Sequence, residues 1–344
     1  MTGISFKDMA MRVFVFEYVT GGGLAGRPMV SGLAGEGDLM LKSLVRDLVQ
    51  IPGVEVLTTR DARLDPLGFP VRVLWVHDRG DLGRCWEHGV YEADAVWPIA
   101  PETDGLLEDL CEYITAAGRT LLNSRPEAVH TASSKIATAQ QLRVQGLPAV
   151  ETWRIDMLPP LAGGNWVLKP DQGVGCLQTR LCRGTEALCE ALARVDDPRR
   201  WVMQPYVPGQ PASLSLLVGD DDCWLLGCNQ QRVALLDDGF VLFGCEVNGL
   251  EGDRSGYEDL GRAVVQAIPG LWGYVGVDFV VTDDGPVILE VNPRLTTSFA
   301  GLSRSLGRNV AAMVLDSARG AQPVPVGRLA GRRVDVDVEL CRVA

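Results

Sequence analysis

The sequence predicts two fold classes within 344 residues: an α/β region with a mostly parallel sheet, then an α+β region built around antiparallel strands. Two observations predict this. Over the first third, β-branched runs alternate with segments of helical apolar spacing. From residue 201 onward, strand-like runs follow one another with few helical segments. The length favours two domains, or one domain with a large insertion.

The first region is expected to form an N-terminal domain over residues 11–125. Its predicted strands are 12–19, 54–59, 71–78, 93–102 and 120–123, and its predicted helices are 36–50 and 103–117. Strands that alternate with helices in this way form a parallel, Rossmann-like sheet.

The remainder is expected to form two α+β parts, a small one over 126–202 and a large one over 203–330. The small part is predicted to hold a helix at 127–146, strands at 166–170 and 179–183, and a helix at 185–195. The large part is predicted to be rich in strands, with one helix near 256–269.

Composition excludes several classes of protein. Hydrophobic residues make up 47% and charged residues 22%, which is ordinary for a globular enzyme. The net charge of −12 disfavours nucleic acid as a partner. No apolar run reaches the roughly 18 residues of a membrane span, and the N-terminus lacks signal-peptide features. With nine cysteines and no C-x-x-C pair, the expectation is a cytoplasmic protein with reduced thiols.

Gly21, Gly23 and Gly26 match G-x-G-x-x-G directly after the first strand. One interpretation is a dinucleotide site. A fingerprint of that kind opens straight into a helix, and here Pro28 and Gly32 intervene. A mobile loop beside a small-molecule site and a purely structural turn remain the other two interpretations.

Lysine is rare, and its positions are informative. Of 32 cationic residues only four are lysines: Lys7, Lys42, Lys135 and Lys169. Lys169 ends a strand, and the following loop contains Gly173 and Gly175. Such a loop is typical of phosphate binding, because lysine supplies a charge and glycine lets backbone N–H groups approach closely. An ordinary hairpin is the alternative.

The strongest pattern is the hairpin 276–294. A turn centred on Asp284 predicts that Asp278 faces Glu290 across the strands, with Asn292 on the same face. A bulge at Gly285 would shift this register by one residue. Two facing carboxylates with an amide beside them suit Mg²⁺. Arg294 would bring a guanidinium suited to a transferring phosphoryl group.

In combination, these segments resemble the ATP-grasp superfamily of carboxylate–amine ligases over about 115–315. The matching pieces are Ser134-Lys135, Trp166-Val167-Leu168-Lys169-Pro170, Gln204-Pro205-Tyr206-Val207-Pro208-Gly209, Gly276-Val277-Asp278-Phe279 and Glu290-Val291-Asn292-Pro293-Arg294.

The resemblance implies an ATP-grasp fold that holds ATP between the two α+β parts. It implies nucleotide contacts by Lys135, Lys169, Gly173, Gly175, Gln204, Tyr206 and Val207. It also implies that Asp278, Glu290 and Asn292 bind two Mg²⁺ ions, for which Mn²⁺ can substitute. Gln210 and Pro211 stand where members often carry an acidic residue for the ribose.

The N-terminus is similar to the tyramine–glutamate ligase family of methanofuran biosynthesis. The similar segments are Phe16-Glu17-Tyr18-Val19-Thr20-Gly21-Gly22-Gly23, Glu36-Gly37 and Asn292 to Ser298. The resemblance implies that glutamate is joined to tyramine, or to a related aromatic amine, for a methanofuran or methylofuran C1 cofactor. It implies substrate contacts by Glu17, Gly22, Gly23 and Thr296.

The expected chemistry is amide formation through an acyl phosphate, with Arg294, Lys169 and Arg232 as the catalytic residues. Arg232 follows two glutamines on a strand, and an ordinary surface arginine is the alternative there. The expected partners are ATP, an acid and an amine, and a homodimer is left open. The rival functions are an NAD(P)-dependent oxidoreductase that uses the Gly21–Gly26 loop and an ATP-binding regulator without turnover.

Overall fold

The computed structural model describes residues 10–157, 163–321 and 331–338. Within these ranges, no helix combines the length and the apolar character that a membrane span requires. All eight cysteines in the described ranges are free thiols, in line with the expectation from their spacing. The ninth, Cys341, lies outside the described residues.

The N-terminal region folds as the expected parallel sheet, with strand order β3-β2-β1-β4-β5. Its strands are Met11–Glu17 (β1), Val54–Asp61 (β2), Arg72–Val76 (β3), Ala95–Ile99 (β4) and Thr120–Leu121 (β5). Its helices are Ser31–Leu48 (α1), Arg79–Glu92 (α2) and Leu106–Ala116 (α3).

Two features of this domain differ from the prediction. Helix α1 begins at Ser31 rather than at residue 36. Helix α2 has no counterpart in the prediction. Its apolar stripe is short, consisting of Leu82, Trp86 and Val90, and only Gly89 and Val90 of the helix are fully buried.

The described residues of the second region form one ten-stranded sheet. Along its path the order is β14-β13-β10-β11-β12-β8-β7-β9-β6, and β15 pairs with β12. The strands are Trp153–Arg154 (β6), Asn165–Pro170 (β7), Arg180–Arg183 (β8), Trp201–Pro205 (β9), Gln210–Val218 (β10), Cys223–Leu236 (β11), Gly239–Val247 (β12), Gly273–Thr282 (β13), Gly285–Asn292 (β14) and Val334–Asp337 (β15).

In the described part of this region, six α-helices accompany the sheet: Pro126–Ser133 (α4), Lys135–Val144 (α5), Gly184–Leu192 (α6), Arg254–Ala267 (α7), Phe299–Leu306 (α8) and Val310–Ala318 (α9). The expected boundary at residue 202 falls inside β9. That strand pairs with β6 and β7, so it lies in the smaller half of the sheet.

The helix predicted over 127–146 is broken at Ser134, where the backbone is extended (φ −96°, ψ 119°). The Ser134 hydroxyl accepts a hydrogen bond from the backbone N–H of Ala137 and donates one to Asp171 Oδ2 at 2.7 Å. This N-cap starts a new helix at Lys135 and joins that helix to the loop after β7. The break therefore brings Lys135 close to Lys169.

The two sheets are packed together by a shared apolar core. Leu41 and Leu44 of α1 and Trp97 of β4 belong to the same buried cluster as Phe299 of α8 and Val314 of α9. This packing brings α1 and the carboxyl ends of the first sheet to the end of the hairpin β13–β14, and the cavity described next lies there.

Candidate active site

A cavity of about 260 Å³ lies where the two halves of the second sheet meet the N-terminal domain. Its lining includes nearly all of the residues that the sequence singles out: Glu17, Lys135, Lys169, Gly173, Gly175, Gln204, Tyr206, Val207, Asp278, Glu290, Asn292, Arg294 and Thr296. Segments more than 250 residues apart in the chain thus contribute to a single cavity.

The hairpin β13–β14 places its acids as predicted, although by a different route. Asp278 pairs with Glu290 and Gly276 with Asn292. The turn is the two-residue Asp283-Asp284, since Thr282 pairs with Gly285, and the register then shifts between Asp278 and Phe279. A bulge within the strands, rather than at the turn, therefore brings the two carboxylates opposite each other.

Asp278 is held by two amides. Asn292 Nδ2 donates to its Oδ2 at 2.9 Å, and Gln231 Nε2 donates to its Oδ1 at 2.8 Å. Burial, together with the nearby charge of Glu290, raises the pKa of Asp278 well above its usual value. A cation between the two carboxylates would relieve this repulsion.

The two lysines converge on Glu290. Lys135 Nζ lies 3.5 Å from Glu290 Oε2, and Lys169 Nζ lies 3.8 Å from the same oxygen. Burial lowers the pKa of Lys169 to about 8, with Glu290 opposing the shift and Lys135 adding to it. Burial acts to raise the pKa of Glu290, but the two lysines and Arg294 bring it below its usual value. The cluster is a concentrated cationic centre with one carboxylate to balance it.

Arg294 is fixed by a residue that the sequence does not reveal. Its Nη2 donates to Glu102 Oε2 at 3.0 Å, and its Nε lies 2.9 Å from Glu102 Oε1. Both side chains are almost fully buried. Glu102 follows β4 of the N-terminal domain, so this two-pronged ion pair joins the domains at the cavity.

The end of β9 and the segment after it form the opposite wall. Gln204 Nε2 donates to Thr152 Oγ1 at 2.9 Å, and the Thr152 hydroxyl donates to the Val150 carbonyl. Because the only proton of that hydroxyl is engaged, Thr152 Oγ1 must accept, and the amide oxygen of Gln204 is left for another donor. Tyr206 stacks on Phe240 with ring centroids 6.4 Å apart, which extends this wall.

The loop after β7 lies over the lysines. Lys135 Nζ donates to the carbonyls of Asp171 and Gly173, both at 3.3 Å. Gly175 has φ +63°, in the left-handed region that favours glycine. The loop thus presents backbone groups to the same space as the cationic centre.

Three predicted residues are not brought to the cavity. Gly22 and Gly23 do not line it, and a Cβ atom on either would lie 2.4–2.6 Å from the side chain of Val76 or of Tyr18. These glycines thus permit close packing. Arg232 is also outside the lining and is paired with Asp335 and Asp337. Its neighbour Gln231 faces the cavity instead. The alternate side chains of β11 that point into the cavity are therefore the opposite set from the predicted one.

Glu17 lines the cavity, but local groups already satisfy its carboxylate. It accepts hydrogen bonds from the backbone N–H groups of Val19 and Thr20, at 3.1 and 2.6 Å, and from the Thr20 hydroxyl at 2.5 Å. Thr296 lies at the cavity floor, where its hydroxyl is 2.8 Å from the Tyr274 hydroxyl and 3.0 Å from that of Ser298.

From the sequence, no site role was assigned to four cavity or supporting residues: Glu36, Glu102, Thr152 and Gln231. The two-residue period of β11 could have placed Gln231 in the cavity, had its phase been known. Glu36 was named only within the resembling segment Glu36-Gly37. No local pattern marks Glu102 or Thr152, because their roles depend on contacts with distant segments of the chain.

The donor set fits Mg²⁺. Within the described ranges, no group of three or more His, Cys, Asp or Glu side chains could hold a metal alone. Mg²⁺ typically takes only one or two carboxylates and completes its shell with phosphate oxygens and water. Asp278, Glu290 and the Asn292 amide oxygen could supply that protein share, next to cations suited to phosphate.

Comparisons with known proteins agree with this geometry. Residues 132–298 match the family model of the ATP-grasp domain, and residues 54–129 match that of the pre ATP-grasp 3 domain. Tyramine–L-glutamate ligase of Methanocaldococcus fervens is 26% identical over 293 residues, covering 84% of this chain and 89% of that protein.

Two solved structures share the fold. A protein from Archaeoglobus fulgidus, described as a member of the ATP-grasp superfamily, has a TM-score of 0.68 and 25% identity, covering 95% of this chain and 100% of its own. The L-amino acid ligase of Bacillus licheniformis has a TM-score of 0.64 at 13% identity, and the match covers 91% of this chain and 75% of that chain. With its parallel N-terminal sheet, its large antiparallel sheet and both matched domains, this chain is an ATP-grasp domain protein.

Proposed function

We propose that this protein uses ATP to join a carboxylic acid to an amine through an acyl-phosphate intermediate. One observation carries the proposal: Lys135 and Lys169 both lie within 4 Å of Glu290, which pairs with Asp278 across the hairpin. Such a cluster suits the triphosphate of a nucleotide bound with divalent cations.

The first step is phosphoryl transfer. An oxygen of the acid attacks the γ-phosphorus of ATP, so that an acyl phosphate forms and ADP departs. Lys135 and Lys169 hold the phosphates, while Arg294, aligned by Glu102, faces the oxygens on which charge collects. Mg²⁺ held by Asp278, Glu290 and Asn292 supplies neutralisation of phosphate charge when it is bound.

The second step is attack of the amine on the acyl carbon, which releases phosphate and leaves the amide. Positioning and electrostatics are sufficient, so no covalent protein nucleophile is needed. The loop that carries Gly173 and Gly175 limits the access of water, which would otherwise hydrolyse the acyl phosphate.

We further propose glutamate as the acid and tyramine, or a related aromatic amine, as the amine. The support is the 26% identity to tyramine–L-glutamate ligase over most of both chains. On this proposal the product belongs to a methanofuran or methylofuran type of C1 cofactor pathway.

Phosphate release, measured with ATP, one acid and one amine, tests the reaction. We expect release only when acid and amine are both present, and a fall of about 100-fold or more for Glu290→Gln. Asp284→Asn is the matched control, because it removes a carboxylate from the exposed turn of the same hairpin. Unchanged turnover for Glu290→Gln would refute the role given to the cluster.

A panel of amino acids and aromatic amines tests the substrates. Activity confined to glutamate with tyramine or tyrosine supports the proposed pair. Comparable activity across the panel, or activity with an unrelated pair alone, contradicts it.

A further inference from the structure

Glu36 is a cavity carboxylate to which the reaction outlined above assigns no role. It lies on the cavity side of α1 and is half-buried. Burial raises the pKa of its carboxyl, an effect that the charge of Arg294 partly opposes. It therefore lies in a place where an ionised carboxylate is costly unless it meets a cation.

The buried acids near the cavity have close partners. Glu17 accepts three hydrogen bonds from its own turn, and Glu102 is paired with Arg294. Asp38, further along α1, forms ion pairs with Arg60 and Lys42. Within the described part of the chain, the Glu36 carboxylate has no hydrogen bond and no ion pair within 4 Å. It is the acid in this group that is left for a ligand.

The surroundings of Glu36 match an amine with an apolar body. The cavity wall contributed by the N-terminal domain is apolar apart from Glu17 and Glu36, and consists of Val19, Leu33, Gly37, Met40, Ile99, Ala100 and Pro101. Leu33 and Met40 lie on the same face of α1 as Glu36, at i−3 and i+4. A hydrocarbon or aromatic group could pack there while its ammonium meets the carboxylate.

Glu36 is also next to the reacting groups. A Cβ atom at Gly175 would lie 3.4 Å from its Oε1 and 3.5 Å from its Oε2, so the carboxylate lies against the loop after β7. Arg294 is close enough for mutual electrostatic influence, as is Cys176. An amine held by Glu36 would thus stand beside the place given to the acyl phosphate.

We propose that Glu36 binds the ammonium group of the amine substrate and accepts its proton, which makes it the residue that selects a cationic, apolar-bodied amine. The inference rests on the proposed function. As one proton passes from nitrogen to Glu36, the freed lone pair attacks the acyl carbon and a C–N bond forms. The bond from that carbon to the phosphate oxygen breaks with its electron pair, and the departing phosphate takes the second nitrogen proton.

Glu36→Gln tests this with two nucleophiles. Tyramine is cationic at neutral pH, whereas hydroxylamine is largely uncharged there and traps an acyl phosphate as a hydroxamate. We expect the KM for tyramine to rise about 10- to 100-fold, with kcat reduced as well. ATP- and glutamate-dependent hydroxamate formation should stay within about two-fold of wild type.

The outcomes separate the two proposals. If wild-type protein forms no hydroxamate with glutamate, or with any other acid of the panel, the proposed function fails. If hydroxamate forms but Glu36→Gln leaves kcat and KM for tyramine unchanged, the role of Glu36 is refuted. Equal losses with both nucleophiles would also refute it, because they would indicate a general effect on the site.

Folding of the variant is checked by thermal melting. Because burial disfavours the ionised carboxylate, Glu36→Gln should melt at the wild-type temperature or higher. Glu36→Asp is a second variant that keeps the charge but shortens its reach. It should recover part of the tyramine activity, which a merely structural role for Glu36 would not predict.

Discussion

The ion pair between Glu102 and Arg294 offers the sharpest test of how the two domains build the site. Glu102→Gln removes one charge while it keeps the size of the side chain and one oxygen acceptor. Arg294 would then be a buried cation without its carboxylate, since its remaining bond within the described residues is to the Leu295 carbonyl at 2.9 Å.

The size of the effect follows from the geometry. Opposite charges about 3 Å apart attract by about 5 kcal/mol at an effective dielectric constant of about 20. Breaking a buried pair by removing one partner costs about 3–5 kcal/mol, because the other charge stays buried. For a chain of this size we expect a fall in melting temperature of roughly 5–10 °C.

The catalytic activity of Glu102→Gln should also fall, for a reason that is separate from the loss of stability. Arg294 can steady the transferring phosphoryl group only while Glu102 holds its guanidinium in place. We expect kcat for phosphate release to drop by about 10- to 100-fold at a temperature at which the variant is folded.

Two further variants complete the experiment. Glu251→Gln breaks the exposed pair with Arg333 and should leave both melting temperature and kcat unchanged. The double variant Glu102→Leu with Arg294→Met should regain much of the stability but no activity. If Glu102→Gln changes neither quantity, the ion pair does not organise the site and the reasoning is wrong.

Three other predictions concern specificity, packing and pH. Thr152→Val frees the amide of Gln204 to rotate, so the ratio of kcat/KM for ATP over GTP should fall about 3- to 10-fold, and an unchanged ratio would contradict this. Gly22→Ala places a Cβ atom 2.5 Å from Val76 Cγ1 at φ 104°, so urea denaturation should show a loss of about 1–3 kcal/mol, whereas KM for ATP should not change. Burial raises the pKa of the Asp47 carboxyl in the folded protein, so the folded state favours the protonated form. The stability that this carboxyl contributes is therefore fully present below its unfolded pKa of about 4 and is lost as pH rises through the folded pKa. Asp47→Asn should therefore stabilise the protein at pH 7 but not at pH 3, and equal effects in unfolding experiments at both pH values would rule this out.

Local patterns in the sequence were sufficient for much of the fold and for part of the site. Alternating strands and helices predict the parallel sheet, because periodicity reflects which faces are buried. The pairing of Asp278 with Glu290 follows from a short hairpin, in which register is a local property. Even there, a bulge between Asp278 and Phe279 produced the predicted pairing from a turn of different length.

The predictions were wrong where a contact between distant residues decides the local structure. The helix expected over 127–146 breaks at Ser134, whose hydroxyl is engaged by Asp171, a residue outside that segment. Arg232 was expected in the cavity, but the phase of β11 depends on its neighbours β10 and β12. Gln231 therefore faces Asp278, and Arg232 faces Asp335 and Asp337.

The sequence by itself determined the fold class, the ATP-grasp resemblance and the acidic hairpin, since each depends on residues close together in the chain. Only the tertiary structure decided that Glu102 holds Arg294, that Thr152 orients Gln204, and that Glu36 is left without such a partner in the cavity. The two contacts join residues about 50 and 190 positions apart in the chain. Burial and charge at such sites are set by the packing of distant segments against one another, and no local pattern in the chain encodes that packing.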